Sequence, residues 1–170
     1  MELLDLYDDN GKRTGQTIER GTKFDKGNIM LSIIFIKNSE GKFLIQKTSK
    51  EKGAIYSSTG GHVIHNEDGL ITIVREVNEE LGIDVDSNEI KIIGLKKHPE
   101  RPCLINLYLL EKNIDINCLK LQSEEVELVE WLSQDEILNL ISDNKFLSSH
   151  GYLFKEYIAS LVIERKKLYR

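Results

Sequence analysis

The stretch that most constrains the fold of this chain runs from Gly61 to Ile83. It joins a glycine entry, an acidic helix start, an amphipathic run and a glycine exit. Asp68 is placed to cap the helix and Gly82 to end it. Aspartate accepts hydrogen bonds from free first-turn amides, and glycine enters the left-handed conformation easily. Between them Leu70, Val74, Val77 and Leu81, with Ile73 beside them, recur at helical spacing and form one apolar stripe. Glu76, Glu79 and Glu80 fall on a separate face, with Arg75 at its edge. One side of this helix is suited to dock on a sheet while the other gathers negative charge. Like charges four residues apart repel, so Glu76 and Glu80 call for a counter-charge. Such a cluster is commonly a solvated acidic face. The alternative is a magnesium site, because a hard cation takes carboxylate oxygens together with substrate phosphates.

The chain's 170 residues fit one domain of ordinary size, spanning 1–170. Apolar residues at 40% and charged residues at 30% give a soluble balance, and a net charge of −5 argues against a nucleic acid polymer as partner. Small anionic substrates stay open if a metal or local Arg and Lys meet them. The acidic start, Met1 to Asn10, lacks the regions of a signal peptide. The apolar run Ile29 to Ile36 is too short to span a membrane. A cytoplasmic protein with no membrane partner is expected. Cys103 and Cys118 lack zinc-type spacing and read as small buried side chains.

Residues 3–7 and 14–18 read as two short strands around the turn Asp8-Asp9-Asn10-Gly11, a hairpin at the domain edge within 1–22. Such an edge could mediate a homodimer. Residues 29–37 read as a buried central strand, paired in a hairpin with a strand over 42–47. An extended piece over 55–58 precedes the central helix. Further strands are expected over 89–97, 104–110 and 126–132, with a proline-bracketed loop over 98–102. Ser133 with Glu136 predicts a capping box and a helix to about Ser142. A last helix from about 148–151 carries a stripe of Phe154, Tyr157, Ile158, Leu161, Val162 and Leu168. This order predicts an α/β chain, with helices packed on a mixed sheet.

The central stretch resembles the signature box of Nudix hydrolases, G-x5-E-x7-R-E-U-x-E-E-x-G-U, with U aliphatic. Gly61, Glu67, Arg75, Glu76, Val77, Glu79, Glu80, Gly82 and Ile83 match every position. A chance match in one register is on the order of 10⁻⁹ or less at average residue usage. The box therefore outweighs the reading of a merely solvated face. The segments Leu4 to Gly15, Phe43 to Lys47 and Glu125 to Leu132 are similar to a branch related to isopentenyl-diphosphate isomerase. The resemblance implies an α/β/α sandwich with a mixed sheet, an N-terminal hairpin and C-terminal helices, and box residues 61–83 as a loop–helix–loop. It also implies a MutT-like pyrophosphohydrolase acting on a small nucleoside-diphosphate-linked substrate, with Mg²⁺, or Mn²⁺ in its place.

By motif position Glu79 and Glu80 are implied metal ligands. Glu76 is implied as a metal ligand or a general base, and the Gly61 carbonyl as a further ligand. Arg75 is implied to orient Glu76 or Glu67, with Glu67 its structural partner and Gly82 the helix stop. Glu125 matches the place of an extra acidic residue from a distant loop, with Glu124 its rival. The isomerase branch carries a cysteine two residues before a metal-binding histidine, whereas this chain reads Gly60-Gly61-His62. Isomerisation is therefore disfavoured, and a non-catalytic nucleotide-binding module is disfavoured by the complete box. Asn66 stands where the family often has glycine, which is expected to alter loop shape. For substrate contact the candidates are His62, Lys47, Tyr56 and Arg101. Each has a plainer reading: a hydrogen-bonded strand-end histidine, a solvated lysine, a packed aromatic and a surface-loop arginine.

Overall fold

A computed structural model describes residues 1–169. Strands β1 (Leu3–Tyr7) and β2 (Arg13–Glu19) form a separate two-stranded antiparallel sheet. The main sheet holds β3 (Ile29–Lys37), β4 (Phe43–Thr48), β5 (Tyr56–Ser57), β6 (Thr59–His62), β7 (Ile90–Lys97), β8 (Cys103–Glu111) and β9 (Val126–Leu132). Helices α1 (Gly69–Leu81), α2 (Gln134–Ser142) and α3 (Ser148–Leu168) cover it.

Period-2 alternation along β3, β4 and β8 assigns the two faces. Ile33, Phe35, Phe43, Ile45, Ile105 and Leu107 pack with Ile137, Leu153 and Phe154 of α2 and α3. Ile34, Ile36, Leu44, Tyr108 and Leu110 pack with Ile73, Val77 and Leu81 of α1. The layers are thus helix, mixed sheet, helix, as the sequence predicts. Long β3 is nearly continuous in apolar residues because helices bury it from both sides.

Three sheet features differ from expectation. The β3–β4 hairpin closes at Lys37 and Phe43, after which the strands part. Beyond that point β3 pairs parallel to β8 and antiparallel to β6, while β4 pairs with β9 and β5. The N-terminal hairpin is not an edge of the main sheet. It is stitched to the body by backbone bonds between Tyr7 and Asn28 (2.8 Å each way) and from His65 N to Leu3 O (2.7 Å). Strand β6, half glycine, has no strand-like composition. It forms because Gly60 lies against the Ser32 carbonyl of β3, where any side chain would collide.

Helix α1 behaves locally as its sequence dictates. The Asp68 carboxylate accepts from Ile71 N at 2.8 Å, and Gly82 ends the helix at φ 68°. We expect Asp68→Ala to cost about 1 kcal/mol in urea denaturation, as for other lost N-caps. Ser133 and Glu136 form the capping box of α2. The stripe of α3 is shorter than predicted: Val162 is 48% and Leu168 83% exposed. A 21-residue helix is about 30 Å long and overshoots the sheet beneath it. Cys118 is also exposed, contrary to expectation, because it sits in a surface 3₁₀ turn capped by Asp115. Among the described residues no helix is long and apolar enough to cross a membrane.

Candidate active site

Strand β6 leads directly into the loop and helix α1, so the box is one continuous wall of a cavity of about 480 Å³. That volume lies in the range of small-molecule sites. Gly60, Gly61, His62, Arg75, Glu76, Glu79 and Glu80 all line it. A Cβ at Gly61 would meet the Glu76 carboxylate and displace it from its present position.

Arg75 ties three carboxylates together. Its Nε donates to Glu67 Oε1 at 3.0 Å, its Nη1 to Glu76 Oε1 at 2.9 Å, and Nη1 also reaches Glu79 Oε2 at 3.2 Å. Glu67 also accepts from Thr72 Oγ1 at 2.8 Å. Hydrogen bonding to Glu67, with the charge of Glu76, holds Arg75 firmly protonated. Glu76 does not respond in mirror image: its burial outweighs the pull of the guanidinium and raises its carboxyl. The loop before α1 is fixed by Asn66 at φ 69°, a left-handed conformation that asparagine tolerates and glycine adopts freely. His65 is exposed, and its Nδ1 lies 2.8 Å from Asp5 Oδ1 on the hairpin.

Glu80 is not on a solvated face. It is 9% exposed, and Gln46 Nε2 of β4 donates to its Oε2 at 2.8 Å. Gln46 Oε1 in turn accepts from Thr59 Oγ1 at 3.0 Å. Burial, reinforced by the charges of Glu76, Glu125 and Glu79 and only partly offset by Gln46, pushes the Glu80 carboxyl up to about 8. The sequence reading passed over Gln46. Its signal was available: on β4, Leu44 and Gln46 share the α1 face, so a polar residue stands at an inward position.

The same alternation turns Lys47 away from the cavity, contrary to the expected substrate contact. It lies on the other face of β4, with its Nζ 5.7 Å from the centre of the Tyr56 ring. Tyr56 packs against the α2–α3 core. Neither residue lines the cavity, whereas His62 and Arg101 both do. Desolvation lowers the half-buried His62 to about 4, with the nearby Arg20 charge acting in the same direction. Arg101 is directed by His98, a buried side chain whose Nδ1 accepts from the amides of Glu100 and Arg101 at 3.1 Å each. Glu125 lines the cavity and pairs with Lys52 at 3.2 Å. Glu124 lines a different surface pocket beside Ser49 and Lys50. The hairpin supplies Glu2 and Arg20, paired at 2.8 Å, and α3 supplies Ser149 and His150. These four also went unread in the sequence, because only tertiary packing brings them to the box.

Among the described residues no three His, Cys, Asp or Glu side chains converge as a ready-made metal cage. Glu76 is turned to Arg75 and Glu80 to Gln46. The donor set is nevertheless of oxygen alone. It fits magnesium, which usually takes one or two carboxylates plus waters and substrate phosphates.

His150 makes a separate prediction. Its ring is buried, Nδ1 accepts from Ser58 N at 3.2 Å, and burial lowers it to about 4. A base depressed in the folded state stabilises fully above its unfolded value near 6.5. That stability is lost as pH falls from 6.5 towards 4. We expect a loss of about 2–3 kcal/mol over this window, measured as urea midpoints against pH. The His150→Gln variant should flatten the slope.

A carboxylate-rich helix thus faces basic side chains across a small-molecule cavity. The family model "NUDIX domain" matches residues 30–154. An uncharacterized Nudix hydrolase of Listeria monocytogenes is 32% identical over 152 residues, covering 86% of this chain and 89% of that protein. The chain belongs to the Nudix family and is a pyrophosphohydrolase. Among solved structures, DR0079 of Deinococcus radiodurans has the same fold, with TM-score 0.78 and 20% identity over 91% of this chain and 98% of that one. The Nudix domain of Shewanella oneidensis NrtR, solved with ADP ribose, gives 0.63 at 13% identity over 81% and 90%.

Proposed function

We propose that the chain cleaves the diphosphate bond of a nucleoside-diphosphate-linked compound or a similar small organic pyrophosphate, using magnesium or manganese. The observation that carries this reading is one cavity lined both by Glu76, Glu79, Glu80 and Glu125 and by Arg20 and Arg101. Glu79, Glu80, Glu125 and the Gly61 carbonyl would hold the cation, and Glu76 would join them or take the proton from the attacking water. The cation, when bound, neutralises diphosphate charge and activates water. Arg75 keeps Glu76 and Glu79 in register with the loop through Glu67. Gln46 fixes the Glu80 carboxylate, and water adds to phosphorus as the bridging oxygen departs.

Isomerisation is not favoured. Gly60 takes the place of the required thiol, and the Ser32 carbonyl leaves no room there for a side chain. The test is a panel of nucleoside di- and triphosphates, nucleotide sugars, ADP ribose and dinucleotides, assayed with and without magnesium. At least one member should turn over with magnesium, lose activity in EDTA and regain it on re-addition. Turnover that persists undiminished in EDTA, or none across the panel, would overturn the proposal.

A further inference from the structure

The first turn of α3 faces the cavity without a cap. Leu147 stands at the N-cap position and offers no side-chain acceptor. The opening amides of any helix lack partners within it, and they carry the positive end of its dipole. Here that end is enclosed: Ser149 and His150 are 7% and 9% exposed, and both line the cavity beside Leu147.

A second observation is independent of the helix. Ser58, also on the cavity wall, is 2% exposed, and its Oγ has no hydrogen-bond partner. A buried hydroxyl left unpaired costs about 1–3 kcal/mol, so its persistence asks for an explanation. The Ser58 amide donates to His150 Nδ1 at 3.2 Å, which ties the residue to the first turn of α3. Arg101 lines the same cavity, with its Nε 3.3 Å from His98 Nε2. Free amides, an unused hydroxyl and a cation are all complementary to an anion.

We propose that the α3 N-terminus and Ser58 form a phosphoryl subsite, holding the end of the diphosphate that is remote from the acidic helix. The inference rests on the hydrolase reading and adds to it. Helix α1 and helix α3 lie on opposite faces of the sheet, and residues of both line the cavity. One phosphoryl group meets carboxylates and their cation at α1. The other meets donors alone at α3. The substrate is thereby oriented end for end.

The test is an NMR titration of the ¹⁵N-labelled full chain, in magnesium-free buffer, with inorganic phosphate and separately with ADP. Both probes should shift the amides of Ser58, Ser149 and His150. Ser58→Ala should weaken the phosphate Kd about tenfold, the effect of losing one hydrogen bond to a charged group. Shifts confined to α1 with either probe would overturn the subsite, as would an unchanged Kd in Ser58→Ala. Titration of the unaltered chain decides the matter even if that variant fails to fold. Turnover plays no part in the readout, so failure of the hydrolase reading is seen separately.

Discussion

Glu80→Gln lowers turnover by about 10³-fold or more in a magnesium-supported assay, while the thermal midpoint stays within a few degrees of the parent. In the proposed mechanism the activity loss combines removal of a metal-binding oxygen anion with loss of water activation, terms that are each large. The stability result follows from burial. At neutral pH and without metal the Glu80 carboxyl, pushed up to about 8, is largely protonated. Glutamine has the same shape, and its carbonyl can accept the bond that Gln46 Nε2 now gives to Glu80. Little folding free energy changes when one neutral acceptor replaces another. Unchanged turnover in this variant would remove Glu80 from the metal site. Loss of the fold would show that the Thr59–Gln46–Glu80 chain serves chiefly to hold β4 to α1.

Arg75→Leu damages both stability and activity. It leaves Glu67 and Glu76 half-buried with their shared cation gone; their side chains are 16% and 14% exposed. Breaking a buried pair on one side costs about 3–5 kcal/mol, and partial exposure of Arg75 reduces this to about 2–3 kcal/mol. Turnover should fall by about 10²-fold, because Glu76 and Glu79 lose the group that aligns them. Arg75→Lys keeps the charge but not the fork that reaches three carboxylates, and should be intermediate in both respects. Urea denaturation and steady-state kinetics on the two variants read these effects together. A leucine variant as stable as the parent would mean that the cluster is solvated and Arg75 is dispensable.

The box helix could be read from sequence because its information is local. A cap, a stripe, a stop and a run of carboxylates all lie within residues 68–82, and the structure keeps each in its expected local place. Nearly all strands were legible for the same reason. Sheet order was not, since β3 parts from β4 after Phe43 and takes β6 and β8 as partners far away in sequence. Side-chain facing was lost in the same way. Lys47 carries the charge that suggests a phosphate contact, yet its neighbour Gln46 is the residue turned inward. Ser58 and the bare start of α3 carry no sequence signal of function. Their meaning arises only when residues 92 positions apart meet, as the Ser58–His150 bond shows.

The attachment of the N-terminal hairpin has a consequence for how this scaffold can vary. The hairpin carries its own strand ladder and joins the body through Leu4 opposite Ile64, Tyr7 opposite Asn28, and Asp5 with His65 at 2.8 Å. The segment that follows it, residues 20–27, belongs to no main-sheet strand, and its Arg20, Gly21, Thr22 and Phe24 line a second pocket that shares Arg20, His62 and Arg101 with the site. Insertions or exchanges there reshape that neighbouring pocket while the glutamate wall, built on β6 and α1, keeps its geometry. That connection is in effect an adjustable lip, free to vary in length and sequence without disturbing the box helix.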